Sequence, residues 1–155
     1  MLNPGLAAFL EEGLGIHVGS RSDTLEPNGA RGAALKIEDD GRHFVVYLAE
    51  AAARRVLPDL RSNSLAAVSV ARPTDDRAAQ VKGTFVDARP AREDERPFVE
   101  AQWNRFLDKL EAIGIPRTTA KGWITWPAVA VRLRATAVFE QTPGPAAGTP
   151  VVADK

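Results

Sequence analysis

Several cations of this chain stand where a strand or a helix end would hold them. Arg31 opens the run RGAALK and Lys36 closes it, with only Gly, Ala and Leu between. Arg54 and Arg55 are adjacent in EAAARRVLPDL, and Arg77 and Gln80 lie at the head of RAAQVKGTF. A guanidinium matches a phosphate with two parallel N–H donors, and a lysine adds a point charge. Cations at strand ends around a barrel mouth would serve to neutralise a phosphate-bearing ligand. Tyr47, the single tyrosine, falls on a neighbouring strand, where its ring can flank such a ligand or pack in the core. Alternation sets a condition. In an unbroken strand Arg31 shares a face with Ala33, Leu35 and Ile37, and Lys36 points the other way. Both can meet one phosphate only across a bulge or a subunit interface.

Other chemistries are poorly supplied. The chain has no Cys, which removes disulfides, thiolate nucleophiles and Cys-ligated metals. His17 and His43, the two histidines, are far apart and have no neighbouring carboxylate pattern for a metal. His17, inside an apolar strand, is expected to be a packed core or interface residue. The acid pairs Glu11–Glu12, Asp39–Asp40 and Asp75–Asp76 fall at turns or helix ends and read as solvated charges. Twenty Lys and Arg balance twenty Asp and Glu, so nothing in the charge calls for nucleic acid. No apolar run approaches the roughly 20 residues that cross a bilayer, and the N-terminus lacks the basic region of a signal peptide. These features predict a cytoplasmic protein without a membrane partner.

The elements that position the cations follow from periodicity. Asn3 caps a short helix with Pro4 at its first position, and Gly13 ends it. GIHVGS is strand-like, and SDTLEPNG is a turn-rich connection. Two strands, Ala30 to Glu38 and His43 to Leu48, flank Asp40-Gly41, a hairpin signal. AEAAARRVLPDLRSN is a helix with Val56, Leu57 and Leu60 inward, which Pro58 is expected to break or kink. LAAVSVA (65–71) and residues 78–88 are strands, and ARPAREDERP is a solvated connection. Val99, Trp103, Phe106, Leu107, Leu110 and Ile113 recur at helical spacing until Gly114. In the last strand, 128–139, Val129, Val131, Leu133, Ala135, Ala137 and Phe139 are assigned to one face, and Ala130, Arg132, Arg134 and Thr136 to the other. Trp123 and Trp126 flank its start and are expected to pack. Six strands mostly in hairpin order, with three helices, predict a mainly β fold: an antiparallel barrel with accessory helices.

In order and spacing these segments resemble the FMN-binding split barrels of the pyridoxamine 5′-phosphate oxidase family. Three stretches carry the resemblance: RGAALK (31–36), RRVLPDLRSNSLAAVSV (54–70) and RAAQVKGTFVDAR (77–89). It implies a single six-stranded split-barrel domain over 1–145 followed by a tail, 146–155. It also implies a homodimer that builds each FMN site from both subunits, with Arg31, Lys36, Tyr47, Arg54, Arg55, Arg77 and Gln80 as candidate cofactor residues. LAAVSVA, with its small apolar residues, would suit an isologous interface. Val56 stands where the family motif continues with a Lys, and Glu140 stands where the oxidases place a Trp. No basic residue then follows until Lys155 to meet the phosphate of pyridoxamine. The resemblance therefore implies a divergent member and not the oxidase itself: a flavin-dependent oxidoreductase of unidentified small-molecule substrate. Two competing readings share the fold. One is a non-catalytic module for another flavin or haem, and the other is a structural dimer without ligand.

Overall fold

The computed structural model describes residues 2–151. Asn3 accepts the Leu6 N–H on its side-chain oxygen at 2.8 Å, starting helix α1 (Pro4–Leu10). Gly13 turns the chain at φ +86°, where a Cβ would lie 2.6 Å from the Gln102 carbonyl oxygen. Only glycine fits there. The chain then lays down β1 (Gly15–Arg21), β2 (Pro27–Ile37) and β3 (His43–Ala49), followed by α2 (Glu50–Asn63). Strands β4 (Leu65–Ala71) and β5 (Ala78–Pro90), helix α3 (Arg96–Ala112) and strand β6 (Ala128–Glu140) complete it. All strand pairs are antiparallel, and the sheet closes as a barrel in the order β1-β2-β3-β6-β5-β4. Closure pairs every strand with two neighbours over part of its length, which suits a mainly β chain of this length.

Two apolar layers hold the barrel. Its interior is filled by Ile16, Val18, Leu35, Val46, Leu48, Val68, Val70, Val81, Val131 and Leu133, with α2 closing one end through Ala53, Val56 and Leu60. A second layer lies outside, where α3 packs Val99, Trp103, Phe106 and Leu110 against Ala33, Ala34, Val45, Tyr47 and Ala130. The sheet is thus apolar on both faces under α3, which explains why β3 reads as a continuous apolar run.

Bulges revise the expected faces. Between Gly32 and Ala34 the β2–β3 register shifts by one residue, so Leu35 turns into the barrel while Ala33 and Ala34 both lie in the outer layer. Lys36 therefore returns to the outer side, where its amino group stands 5.8 Å from the Phe98 ring. An extra residue in one strand reverses the parity of everything beyond it. In β6 a similar shift opposite Lys82–Gly83 puts Val138 beside the interior layer, opposite Val81. Ala137 and Phe139 leave the face expected for them, while Val129 to Ala135 keep it.

Four boundaries also differ. Strand β2 begins at Pro27 and not Ala30, because Pro27, Asn28 and Gly29 pair with Arg21, Ser20 and Gly19. Helix α2 runs unbroken through Pro58 to Asn63, since Pro58 faces solvent and Leu57 and Leu60 on either side are buried. Ala88, Arg89 and Pro90 extend β5 against β6, and only Ala91 to Glu95 remain of the expected connection. The start of the tail lies on β6: Pro150 bridges Phe139, and the Val151 N–H donates to the Val138 carbonyl. Residues 152–155, including Lys155, lie outside the described residues.

Candidate functional site

A cavity of about 710 Å³ opens on the outer face of the barrel, within the roughly 300–1,000 Å³ of small-ligand sites. Its wall is a row of polar side chains, one per strand. Arg31 on β2 lies opposite His17 on β1, His17 opposite Ser69 on β4, and Ser69 opposite Gln80 on β5. At about 4.8 Å per strand the row spans roughly 14 Å. One end is cationic and the other neutral, where the Gln80 side-chain amide donates to Ser69 Oγ at 3.0 Å. Beside this row the floor is made of Gly29, Gly19 and Ala67, neighbours in the next register row. A Cβ on Gly19 or Gly29 would meet only one backbone oxygen, at 3.7 Å. Protein packing does not need these glycines; a flat ligand against the floor would.

Helix α2 brings Arg55 to the rim, and residues Gly122–Thr125 overhang the cavity. Trp123 stacks under the Arg31 guanidinium at 4.2 Å from its ring centroid and meets Trp103 edge-on at 6.0 Å. That stack orients the Arg31 fork without neutralising it. Desolvation pulls the Arg31 pKa below its ordinary value, a cost left uncompensated by any acid. Among the described residues no carboxylate lines the cavity, and neither Arg31 nor Arg55 has an ion-pair partner. Elsewhere Arg54, Arg72, Arg89, Arg92, Arg96, Arg117 and Arg132 are paired, and the other arginines without a carboxylate partner, such as Arg21, Arg61 and Arg105, lie outside the cavity.

Of the residues singled out from the sequence, Arg31, Arg55 and Gln80 meet at this cavity. The other four do not line it. Lys36 shares the outer face of β2 with Arg31 but stands beyond the bulge, exposed beside Phe98. Tyr47 is buried under α3 and donates to Glu95 Oε1 at 3.0 Å; burial pushes its phenol up to about 12, helped by that carboxylate. Arg54 turns outward to Glu50 at 2.6 Å, as its place one residue from Arg55 on a helix requires. Arg77 lies over the Phe9 ring at 4.1 Å, on the α1 side of the barrel.

Two lining residues, His17 and Ser69, were not expected. His17 is exposed on the outer face and not packed in the core, because Ile16 and Val18 on either side take the interior. Burial of part of the ring, and then the Arg31 charge, hold its pKa below the ordinary histidine value. Ser69 alternates with the interior Val68 and Val70 in the same way. Trp123 packs as expected, and also forms a wall. A polar residue between two inward-facing β-branched residues was the signal for His17 (Ile16, Val18) and Ser69 (Val68, Val70).

Two further titratable clusters are accounted for by structure. Glu95 receives Arg89, Tyr47 and the Arg92 backbone N–H, and Arg89's hydrogen bond does most to hold its carboxyl down to about 2. Asp59, buried in α2, accepts from Ser20 Oγ at 2.7 Å and Asn28 at 2.8 Å, tying that helix to β1 and β2.

The sequence matches no protein-family model and no curated protein. Solved structures do match. An F420 reductase aligns at 19% identity with a TM-score of 0.55, covering 88% of this chain and 97% of its own. A pyridoxamine 5′-phosphate oxidase candidate from Lactobacillus delbrueckii aligns at 12% identity and TM-score 0.55, covering 89% and 93%. An FMN-binding protein from Syntrophomonas wolfei aligns at 13% identity and TM-score 0.51, covering 97% and 84%. The resemblance read from the sequence holds at the level of the fold: this chain has the split-barrel fold of these solved structures, at 12–19% sequence identity.

Proposed function

We propose that the cavity binds flavin mononucleotide, with its phosphate at Arg31 and Arg55 and its ring over the Gly19–Gly29–Ala67 floor toward Ser69 and Gln80. The observation that carries this reading is the pair of uncompensated arginines in a carboxylate-free cavity. Desolvating a cation without a partner is costly, and a phosphate dianion at that end would offset the cost. The flat floor and the hydrogen-bonding far end suit a planar heterocycle with polar edges. A bound flavin supplies hydride transfer; the chain's own residues bind, orient and shield it. No side chain here is assigned as an acid or base for that transfer. We read the protein as a flavin-dependent oxidoreductase acting on a small molecule. It would act as a homodimer, a second copy covering the open side of the cavity near Ile124, which is 72% exposed.

The test is FMN binding followed by flavin fluorescence quenching, on the wild type and on Arg31→Gln with Arg55→Gln. A charge-assisted hydrogen bond contributes about 1.5–3 kcal/mol, so each loss should weaken binding by roughly 10- to 150-fold. Circular dichroism should show the double variant folded. Wild-type protein that fails to bind FMN, or a folded double variant that binds it at wild-type strength, refutes the reading.

A further inference from the structure

His17 is the one titratable group with a pKa near neutrality that lines the cavity among the described residues. It stands between Arg31 and Ser69 in the polar row, one strand away from each. From α2, Arg55 reaches the same space. Ser69 and Gln80 do not titrate, and the overhanging Gly122–Thr125 carries no charge. Every charged group facing the imidazole is therefore positive.

We infer that His17 is the cavity's charge-state reader: it takes up a proton when an anion enters, and so selects a phosphorylated flavin over its unphosphorylated form. The inference rests on the FMN reading above. In the free protein a protonated His17 would be a third cation beside two arginines with no acid to balance it. The neutral ring is favoured, in line with the depressed pKa. A phosphate monoester carries about −1.5 to −2 at neutral pH, which the two arginines alone just balance. Its arrival cancels the arginines' repulsion at the ring and offers the imidazolium an anionic hydrogen-bond acceptor, so protonation is favoured. The neutral far end of the row has no such group, so a flavin without phosphate would leave His17 neutral. The sign is fixed by linkage: a group whose pKa rises on binding makes binding tighter as pH falls through that interval.

The experiment measures FMN and riboflavin binding by isothermal titration calorimetry from pH 6 to 8.5, in two non-phosphate buffers of different ionisation enthalpy. Wild type is compared with His17→Gln, a neutral side chain that can still hydrogen-bond. The ligand's own phosphate titration is common to both proteins and cancels in their ratio. The FMN dissociation constant of His17→Gln, divided by that of wild type, should rise about three- to eightfold from pH 8.5 to pH 6 if the pKa climbs by about one unit, the full tenfold being reached only below both pKa values. Wild type should take up a fraction of a proton per FMN that the variant does not, and riboflavin should show neither effect. Because the chain has two histidines, the ring resonances of His17 and His43 can be followed directly by NMR. His17 should titrate below the ordinary value alone and about one unit higher with FMN. FMN binding with equal pH dependence and proton uptake in both proteins overturns the role of His17 and leaves the cavity assignment standing. The same His17 effect with riboflavin would place the ring, and not the phosphate, at this end. A wild type that binds neither ligand removes both readings together.

Discussion

Gln102 offers the sharpest test of how the fold holds the site. It is fully buried on α3, a rare place for an amide. Its Oε1 accepts the Leu35 N–H at 2.6 Å, and its Nε2 donates to the Leu35 carbonyl at 2.8 Å. The reason lies in the barrel. Strand β1 pairs with β2 only as far as Gly32, so beyond the bulge the β2 backbone has lost its neighbour on that side. Gln102 stands in for the missing strand with one donor and one acceptor. Gln102→Leu keeps most of the volume but strands both backbone groups in an apolar layer. A buried unsatisfied group costs about 1–3 kcal/mol, so two cost about 2–6 kcal/mol, a large share of a domain stability of about 5–15 kcal/mol. In urea, with a slope of about 2 kcal/mol per M, the unfolding midpoint should fall by about 1–3 M. Tryptophan fluorescence and far-UV circular dichroism together would follow it. If Gln102→Leu unfolds within about 0.3 M of the wild type, the amide is not replacing a strand, and the account of how β2 is held past its bulge is wrong.

Two further expectations concern the scaffold. Gly32→Ala puts a methyl 2.7 Å from Ile16 Cγ2 and 3.1 Å from Val46 Cγ1 inside the barrel; such overpacking costs about 1–3 kcal/mol, and at about 2–4 °C per kcal/mol a lowered melting temperature should show it. The Glu95 carboxyl, held down to about 2 chiefly by Arg89, contributes stability that is complete above its unfolded value near 4.5 and fades as pH falls toward 2. Glu95→Gln should therefore be less stable than wild type at neutral pH and converge with it in acid, and denaturation midpoints that stay parallel down to pH 2 would contradict this. Tyr47 works in the opposite sense: its phenol is raised to about 12, so its contribution is intact below pH 10 and declines above it, and Tyr47→Phe should flatten the alkaline limb.

The element list was within reach of the sequence because short-range chemistry decides it. Capping by Asn3, the Asp40-Gly41 turn at φ +61° and the helical stripe from Val99 to Leu110 all act between residues a few positions apart. The strands' hairpin order then allowed few topologies, and an antiparallel barrel was among them. Arg31 and Arg55 could be singled out for the same reason: residue type and the motif around it are local properties.

Which of seven candidates share a cavity was a tertiary matter. A strand's faces depend on register with its neighbours, and one extra residue between Gly32 and Ala34 reversed the parity of Leu35 and Lys36. Helix α2 presents Arg55 to the cavity and Arg54 to Glu50, one residue and about a quarter turn apart, because the barrel end it caps sets its rotation. His17 lies far along the chain from Ser69 and Gln80 and meets them only because β1 and β4 are neighbours in the closed sheet. Residue chemistry is written along the chain; the spacing between distant residues is set by strand pairing, and this cavity needs both.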